Sequence, residues 1–211
     1  NMTTELKLLD TAVSREIQTT IHPTILAILF EHRRYIKNVF LNINGLYDIV
    51  HIGITIIDPV NEIIAFSSTP NIEYNLIRQN LWKNDLCFTP QLQSNNRLSW
   101  WEMQIAEIDN IKLKNNKFTF GMTITRQIND FCLLYSFATR SKKIKLREYY
   151  EANIFGLIDI GDYFYKSVLD VYSPYSVKYT PPELGNLISK ASVVNNRSYL
   201  KLVVNNFERE G

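Results

Sequence analysis

Bulky apolar side chains alternate with small or polar ones through the centre of this chain. Between Lys117 and Thr139, Phe118, Phe120, Met122 and Ile124 alternate with Thr119, Gly121, Thr123 and Thr125. Further on, Phe131, Leu133, Tyr135 and Phe137 alternate with Cys132, Leu134, Ser136 and Ala138. Successive strand residues point to opposite sides. The pattern therefore predicts a hairpin with one bulky face and one face of small, hydroxyl-bearing residues. Residues 46–57 divide in the same way, with Ile52, Ile54 and Ile56 set against His51, Gly53 and Thr55. Another strand is expected over 62–68, after a turn at Asp58-Pro59-Val60-Asn61. A small-residue face on an apolar sheet suits a site that holds something better than one that cuts something.

Helical spacing brackets these strands. Leu6, Leu9, Val13 and Ile17 predict a helix over 3–20, and Pro23 suits the first turn of a second one bearing Ile25, Ile28, Leu29, Ile36 and Phe40. Residues 71–83 read as helical after Pro70, and a short helix is expected around Trp100–Ile108. Tyr150, Ile154, Leu157, Ile158, Phe164, Val168 and Val171 predict a long helix over 147–172. After Ser173-Pro174 the character changes. Residues 173–211 read as a linker or docking tail, with a short helix over 183–190 and an alternating stretch at 199–204. The expectation is an α+β chain, with residues 1–172 as one domain in which an antiparallel sheet of about five strands has helices on its faces. Hairpin connections argue against a doubly wound parallel sheet.

Composition adds limits. The 211 residues are 45% hydrophobic and 21% charged with net charge +2, so no global field calls for nucleic acid or an anionic membrane. Cys87 and Cys132 are the only cysteines; they do not make a disulfide framework, and a reducing cytoplasm is the natural reading. No apolar run approaches the roughly 20 residues that span a bilayer. His22, His32 and His51 are scattered, and no metal-ligand spacing is present. G-x-S-x-G, P-loop, G-x-G-x-x-G and C-x-x-C motifs are missing, so the chain is expected to be no enzyme, with no catalytic residue, metal or cofactor. Trp100 and Trp101 are adjacent and face opposite ways on a strand or helix. The sequence leaves open which of them packs in the core and which lines a cavity.

The order of strand pair, helix, tryptophan-bearing loop, hairpin and long helix resembles the ligand-binding domain of LuxR-type quorum-sensing transcription regulators. Leu134-Tyr135-Ser136-Phe137-Ala138-Thr139 is similar to the family's strand ending in Leu-x-Ser/Thr-Phe-Ala, and Phe120-Gly121-Met122-Thr123-Ile124 to its glycine-bearing partner strand. Ser68-Thr69-Pro70 resembles the Asn-Tyr-Pro that opens the pocket-lining helix, and Asp85 precedes Trp100 by the family's fifteen-residue interval. The resemblance covers roughly residues 20–172. It departs from the family at Leu86, where a proline usually follows the aspartate, and at Ile72 and Leu76, which stand in register with the pocket Trp and Tyr.

The resemblance implies a GAF/PAS-like α/β/α sandwich holding an amphiphilic signal, an acyl-homoserine lactone or a relative of one. Asp85 would accept from the ligand amide, Ser136 would meet its amide or carbonyl, and Trp100 would wall off the head group. Tyr74 or Trp82 would join them, and the acyl chain would pass over Gly53, Thr55, Gly121, Cys132 and Leu134. It also implies a homodimer, no membrane partner, and DNA contact only through a helix-turn-helix domain that would follow residue 211. Two alternatives stay open: a GAF-like dimerisation module with no ligand, whose contact surface is the aromatic-rich helix with Tyr149, Tyr150, Phe155, Tyr163, Phe164 and Tyr165, and an acyl-transferring enzyme of mixed fold.

Overall fold

A computed structural model describes residues 18–89 and 95–185. The expected helix over 3–20 lies almost wholly outside the described residues, as do the stretch at 199–204 and most of that at 183–190. The elements are β1 (Thr20–Ile21), α1 (Ile25–Glu31), α2 (Arg33–Leu41), β2 (Ile49–Ile57), β3 (Glu62–Ser67), α3 (Asn71–Arg78), β4 (Arg97–Trp100), α4 (Ala106–Lys112), β5 (Phe120–Ile128), β6 (Phe131–Thr139), α5 (Leu146–Ala152) and α6 (Ile154–Tyr172).

One sheet runs in the order β1-β3-β2-β6-β5-β4, antiparallel except where β1 lies parallel to β3. Its turns follow from local chemistry. Asp58 accepts from the amides of Val60 and Glu62 at 3.0 and 2.8 Å, and Asn61 takes the left-handed conformation that closes the β2–β3 connection. Asn129 and Asp130 both have positive φ (48° and 65°), the geometry of a two-residue type I′ hairpin whose twist matches the strands.

The sheet has six strands, where the sequence predicted about five. β4 takes Trp100, the first residue of the stretch expected to be helical, because Leu98, Ser99 and Trp100 pair with Ile124, Thr123 and Met122 and close the open edge of β5. Edge pairing outweighs local propensity there, and the helix begins later, at Ala106. The expected long helix breaks at Asn153 (φ −120°, ψ 34°) into α5 and α6, and the helix after Pro23 breaks at His32 (φ −98°, ψ 9°) into α1 and α2.

The two faces of the sheet carry different layers. The bulky face, with Ile52, Ile54, Ile56, Phe66, Met122, Ile124, Leu133, Tyr135 and Phe137, packs against α2, α5 and α6. The other face packs against α3 and α4, and α1 straddles both layers through Ile28 on one side and Ile25 and Leu29 on the other. The result is the α/β/α sandwich expected. Tyr150, Tyr163, Phe164 and Tyr165 lie inside the first layer, so the aromatic surface suggested for 147–172 is core, with Phe155 exposed at its start. A buried clamp ties α6 to the sheet: Arg126 bonds both Asp162 oxygens at 3.0 and 3.3 Å, and the Tyr135 hydroxyl donates to Oδ1 at 2.6 Å. Gly161 makes room for it, since a Cβ there would stand 2.1 Å from the Tyr135 ring.

Pairing register aligns the small residues of the second face into rows across the strands. Ser67, Gly53, Ser136, Thr123 and Ser99 stand side by side on β3, β2, β6, β5 and β4. Ala65, Thr55, Leu134 and Thr125 form the next row, and His51, Ala138 and Gly121 the one on the other side.

Tyr135→Phe removes the hydroxyl that satisfies Asp162 and should lower the unfolding free energy by about 1–3 kcal/mol in urea titration, without a change in the secondary-structure signal.

Candidate functional site

The rows of small residues lie under a layer that is apolar except for one dense polar cluster. Lys112, the last residue of α4, is fully buried, and its ammonium bonds Asp85 Oδ1 at 2.7 Å. Asp85 follows a short 3-10 turn (Trp82–Asn84); its Oδ2 accepts from the Cys87 amide at 3.0 Å. Burial works against the Lys112 charge, but the Asp85 carboxylate outweighs it and holds the ammonium above its ordinary value. The same ammonium sits 4.0 Å above the Trp101 ring, a contact worth about 2 kcal/mol or more once water is excluded.

Trp101 lies flat on the sheet because residue 121 is glycine: a Cβ there would come 2.2 Å from the indole. Its Nε1 donates to Thr123 Oγ1 at 2.9 Å, Thr123 bonds Ser136 Oγ at 3.1 Å, and Ser136 donates to Cys87 Sγ at 3.1 Å. The one hydrogen of Ser136 goes to the sulfur, so in the Thr123–Ser136 bond Ser136 accepts, and the hydrogens run from tryptophan to sulfur. Thr55 closes the far side by donating to the Cys87 carbonyl at 2.5 Å.

Two more titratable groups complete the cluster. His51 on β2 is buried, bonds Thr69 Oγ1 through Nδ1 at 2.9 Å, and lies edge-on to Trp101 and tilted against Phe118. Burial, reinforced by the Lys112 charge, pushes its pKa down to about 3. Glu73 on α3 is 4% exposed. A Cβ placed on Gly53 would lie 3.0 Å from its Oε1, and its Oε2 is buried with no hydrogen-bond partner. Burial, with the Asp85 charge adding to it, pushes its pKa up to about 8, so the carboxyl keeps its proton at neutral pH.

Ser136 gives its hydrogen to a sulfur and not to a base, and burial pushes the Cys87 thiol up to about 12, where it is an inert thiol. Among the described residues no group of histidine, cysteine and acidic side chains is arranged to hold a metal ion, and no helix is long and apolar enough to cross a membrane.

The residues singled out from sequence divide. Asp85, Ser136 and Gly121 converge, the last through the ring it admits. Trp82 is buried in the same layer, but it packs edge-on to Phe88 and makes no bond to the cluster. Tyr74 stands edge-on to Phe30 of α1 at 5.4 Å. Trp100, expected beside the head group, is on the opposite face. It pairs with Met122, contacts Phe120 and Tyr150, and donates to Glu151 at 3.0 Å. Trp101 takes the place over the small-residue rows, because strand alternation turns the next residue to the other side. Lys112, Glu73, His51 and Thr123 were not singled out. A readable signal existed for Lys112, which falls on the buried stripe of α4 with Ile108 and Ile111 at helical spacing.

No family model matches the chain, and no curated protein matches it. Solved structures similar to it include Escherichia coli SdiA, crystallised in space group P6522, at 10% identity over 82% of this chain and 83% of that one, with a TM-score of 0.44. SdiA in complex with octanoyl-rac-glycerol is similar at 10% identity over 83% and 80%, with a TM-score of 0.49.

Two outcomes are expected. Lys112→Met leaves the Asp85 charge buried alone and should cost about 3–5 kcal/mol, most of it recovered in Lys112→Met/Asp85→Leu, because removing both charges removes the desolvation cost too; denaturant midpoints of the two variants decide it. The second concerns pH. Folded Glu73 keeps its proton up to about 8 whereas the unfolded chain releases it near 4.5, so its contribution is fully present below the lower value and lost as pH rises through the higher. Glu73→Gln should flatten that decline in a series of thermal melts.

Proposed function

We propose that this chain is the small-molecule sensor domain of a LuxR-type transcription regulator, holding an amphiphilic, acyl-homoserine-lactone-like signal between the small-residue face of the sheet and the α3–α4 layer. The observation that carries this reading is the buried constellation of Asp85, Lys112, Glu73, Trp101, Thr123 and Ser136 in an otherwise apolar layer. A layer that had only to pack would gain from losing it: exchanging a buried ion pair for hydrophobic residues is often neutral or stabilising by about 1–4 kcal/mol. Polar groups held at that cost over rows of glycine, serine and threonine suit the recognition of a polar head, with the apolar remainder of the layer left for a chain.

In this reading Asp85 and Ser136 meet the head, with Trp101 as the wall and Trp82 and Tyr74 further out. The acyl chain runs over Gly53, Thr55, Cys132 and Leu134. Binding only to the folded form shifts the folding equilibrium, and in the whole regulator this would set homodimerisation and DNA binding through a helix-turn-helix domain outside residues 1–211.

One observation favours a second reading, a GAF-like dimerisation module without ligand: Asp85 and Ser136 already have partners inside the chain. Against it, the aromatic residues that would make the contact surface are mostly buried in the core.

The deciding measurement is thermal unfolding with a panel of acyl-homoserine lactones, monooctanoylglycerol, fatty acids and long-chain ketones. A cognate ligand at about one hundred times its Kd should add about 2.7 kcal/mol, a rise of roughly 5–11 °C at the 2–4 °C per kcal/mol usual for chains this long. Asp85→Ala should remove most of that rise. A midpoint that no member of the panel moves, together with a stable dimer in sedimentation, would favour the second reading.

A further inference from the structure

The inference deepens the sensor reading and rests on it. Among the described residues of this polar cluster, nearly every group has a partner already. Lys112 and Asp85 bond each other, and Trp101, Thr123, Ser136 and Cys87 form a hydrogen-bonded chain. His51 Nδ1 is paired with Thr69. The exception is one oxygen of Glu73, which is 96% buried: Ser67 bonds its carboxyl, but Oε2 meets nothing. An unpaired polar atom in such a place costs about 1–3 kcal/mol, and native structures hold few of them without a reason.

Its place in the fold says what the reason is. Glu73 projects from α3 over Gly53, between Ser67 and Ser136 in the row Ser67-Gly53-Ser136-Thr123, and the glycine leaves the space its Oε1 occupies. We infer that Glu73 is a recognition group of this site, donating a hydrogen bond from Oε2 to a carbonyl or ether oxygen of an uncharged ligand.

The charges around it fix the ligand class. The titratable groups facing Glu73 are His51 on β2, Asp85 and Cys87 in the segment after α3, and Lys112 on α4. His51 and Cys87 are neutral, and the Lys112 and Asp85 charges cancel. Among the described residues facing Glu73 no free cation remains for a carboxylate or phosphate head, and a second buried anion would stand beside Asp85 uncompensated. Esters, lactones, amides and ketones fit; fatty acids and acyl phosphates do not. The proton that makes Glu73 a donor is held up to about pH 8, so affinity should fall as pH rises past that value.

The probes are methyl decanoate and sodium decanoate, measured by calorimetric titration on the whole chain and on Glu73→Gln and Glu73→Leu. The expected result is binding of the ester at neutral pH and at least tenfold weaker binding of the carboxylate. Ester affinity of the wild type should drop severalfold above pH 8. Glu73→Gln, whose amide still donates, should keep the affinity and lose the pH dependence. Glu73→Leu should weaken the ester roughly tenfold, the size of a hydrogen bond to a ligand in a dry site, while unfolding at an equal or higher temperature because the orphan oxygen is gone.

Infrared difference spectra of wild type against Glu73→Gln should show the stretch of a protonated carboxyl at neutral pH. Ester binding that is indifferent to pH and to Glu73→Leu would overturn the inference and leave the sensor reading standing. Equal affinity for the carboxylate, or a missing protonated-carboxyl band, would do the same. A chain that binds neither this ester nor any member of the wider panel would overturn both.

Discussion

The ammonium of Lys112 has to be neutralised where it stands, and much of the second layer is arranged to do so. Isolating such a charge from water costs several kcal/mol even after relaxation. Asp85 supplies the counter-charge, the Trp101 ring supplies a negative face, and the Cys87 amide satisfies the other carboxylate oxygen. Each partner imposes its own requirement. The ring can lie there only over a glycine, and its N–H needs an acceptor, which Thr123 provides. Thr123 and Ser136 are cross-strand neighbours, so the demand passes through them to Cys87 and returns to the segment that carries Asp85. The loop after α3, helix α4 and strands β5 and β6 are thus closed into one circuit of directional contacts.

The opposite layer solves a different problem. There the sheet is covered by aromatic and branched side chains of α2, α5 and α6, and the Arg126–Asp162 ion pair is held against Tyr135. Arg126 and Asp162 bridge strand to helix with two bonds of fixed geometry, which sets the azimuth of α6 and resists sliding. One face is therefore a rigid foundation of interlocking rings. The other presents short side chains to groups that hydrogen-bond, and this asymmetry separates support from recognition.

How much of this could be read in the chain follows from the range of each determinant. The hairpin and its two-faced pattern were legible because strand alternation is local, and Asn129-Asp130 announces the turn. Asp85 and Ser136 were found through short matches to a family. What was hidden depended on pairing between distant segments. β4 exists because β5 has an open edge, and that pairing alone decides that Trp101 and not Trp100 faces the cluster. Lys112 and Glu73 were overlooked because charged residues on short helices usually face water. Their positions beside Ile108 and Ile111, and beside Ile72 and Leu76, put them on apolar stripes. A charge on such a stripe is either an error of assignment or a partner waiting to be identified.

The row Ser67-Gly53-Ser136-Thr123-Ser99 crosses the strands, so each rung belongs to a different strand and adds about 4.8 Å to its length. Its composition is a property of alignment before it is one of identity. Sliding β6 by two positions past β2 would keep every residue on its own side and still bring Leu134 or Ala138 to the rung now held by Ser136. The two-residue turn at Asn129-Asp130, at the far end of the hairpin from the Trp101 ring, fixes that alignment for β5 and β6. Lengthening that turn would rewrite the pattern beneath the indole while altering no atom that touches it.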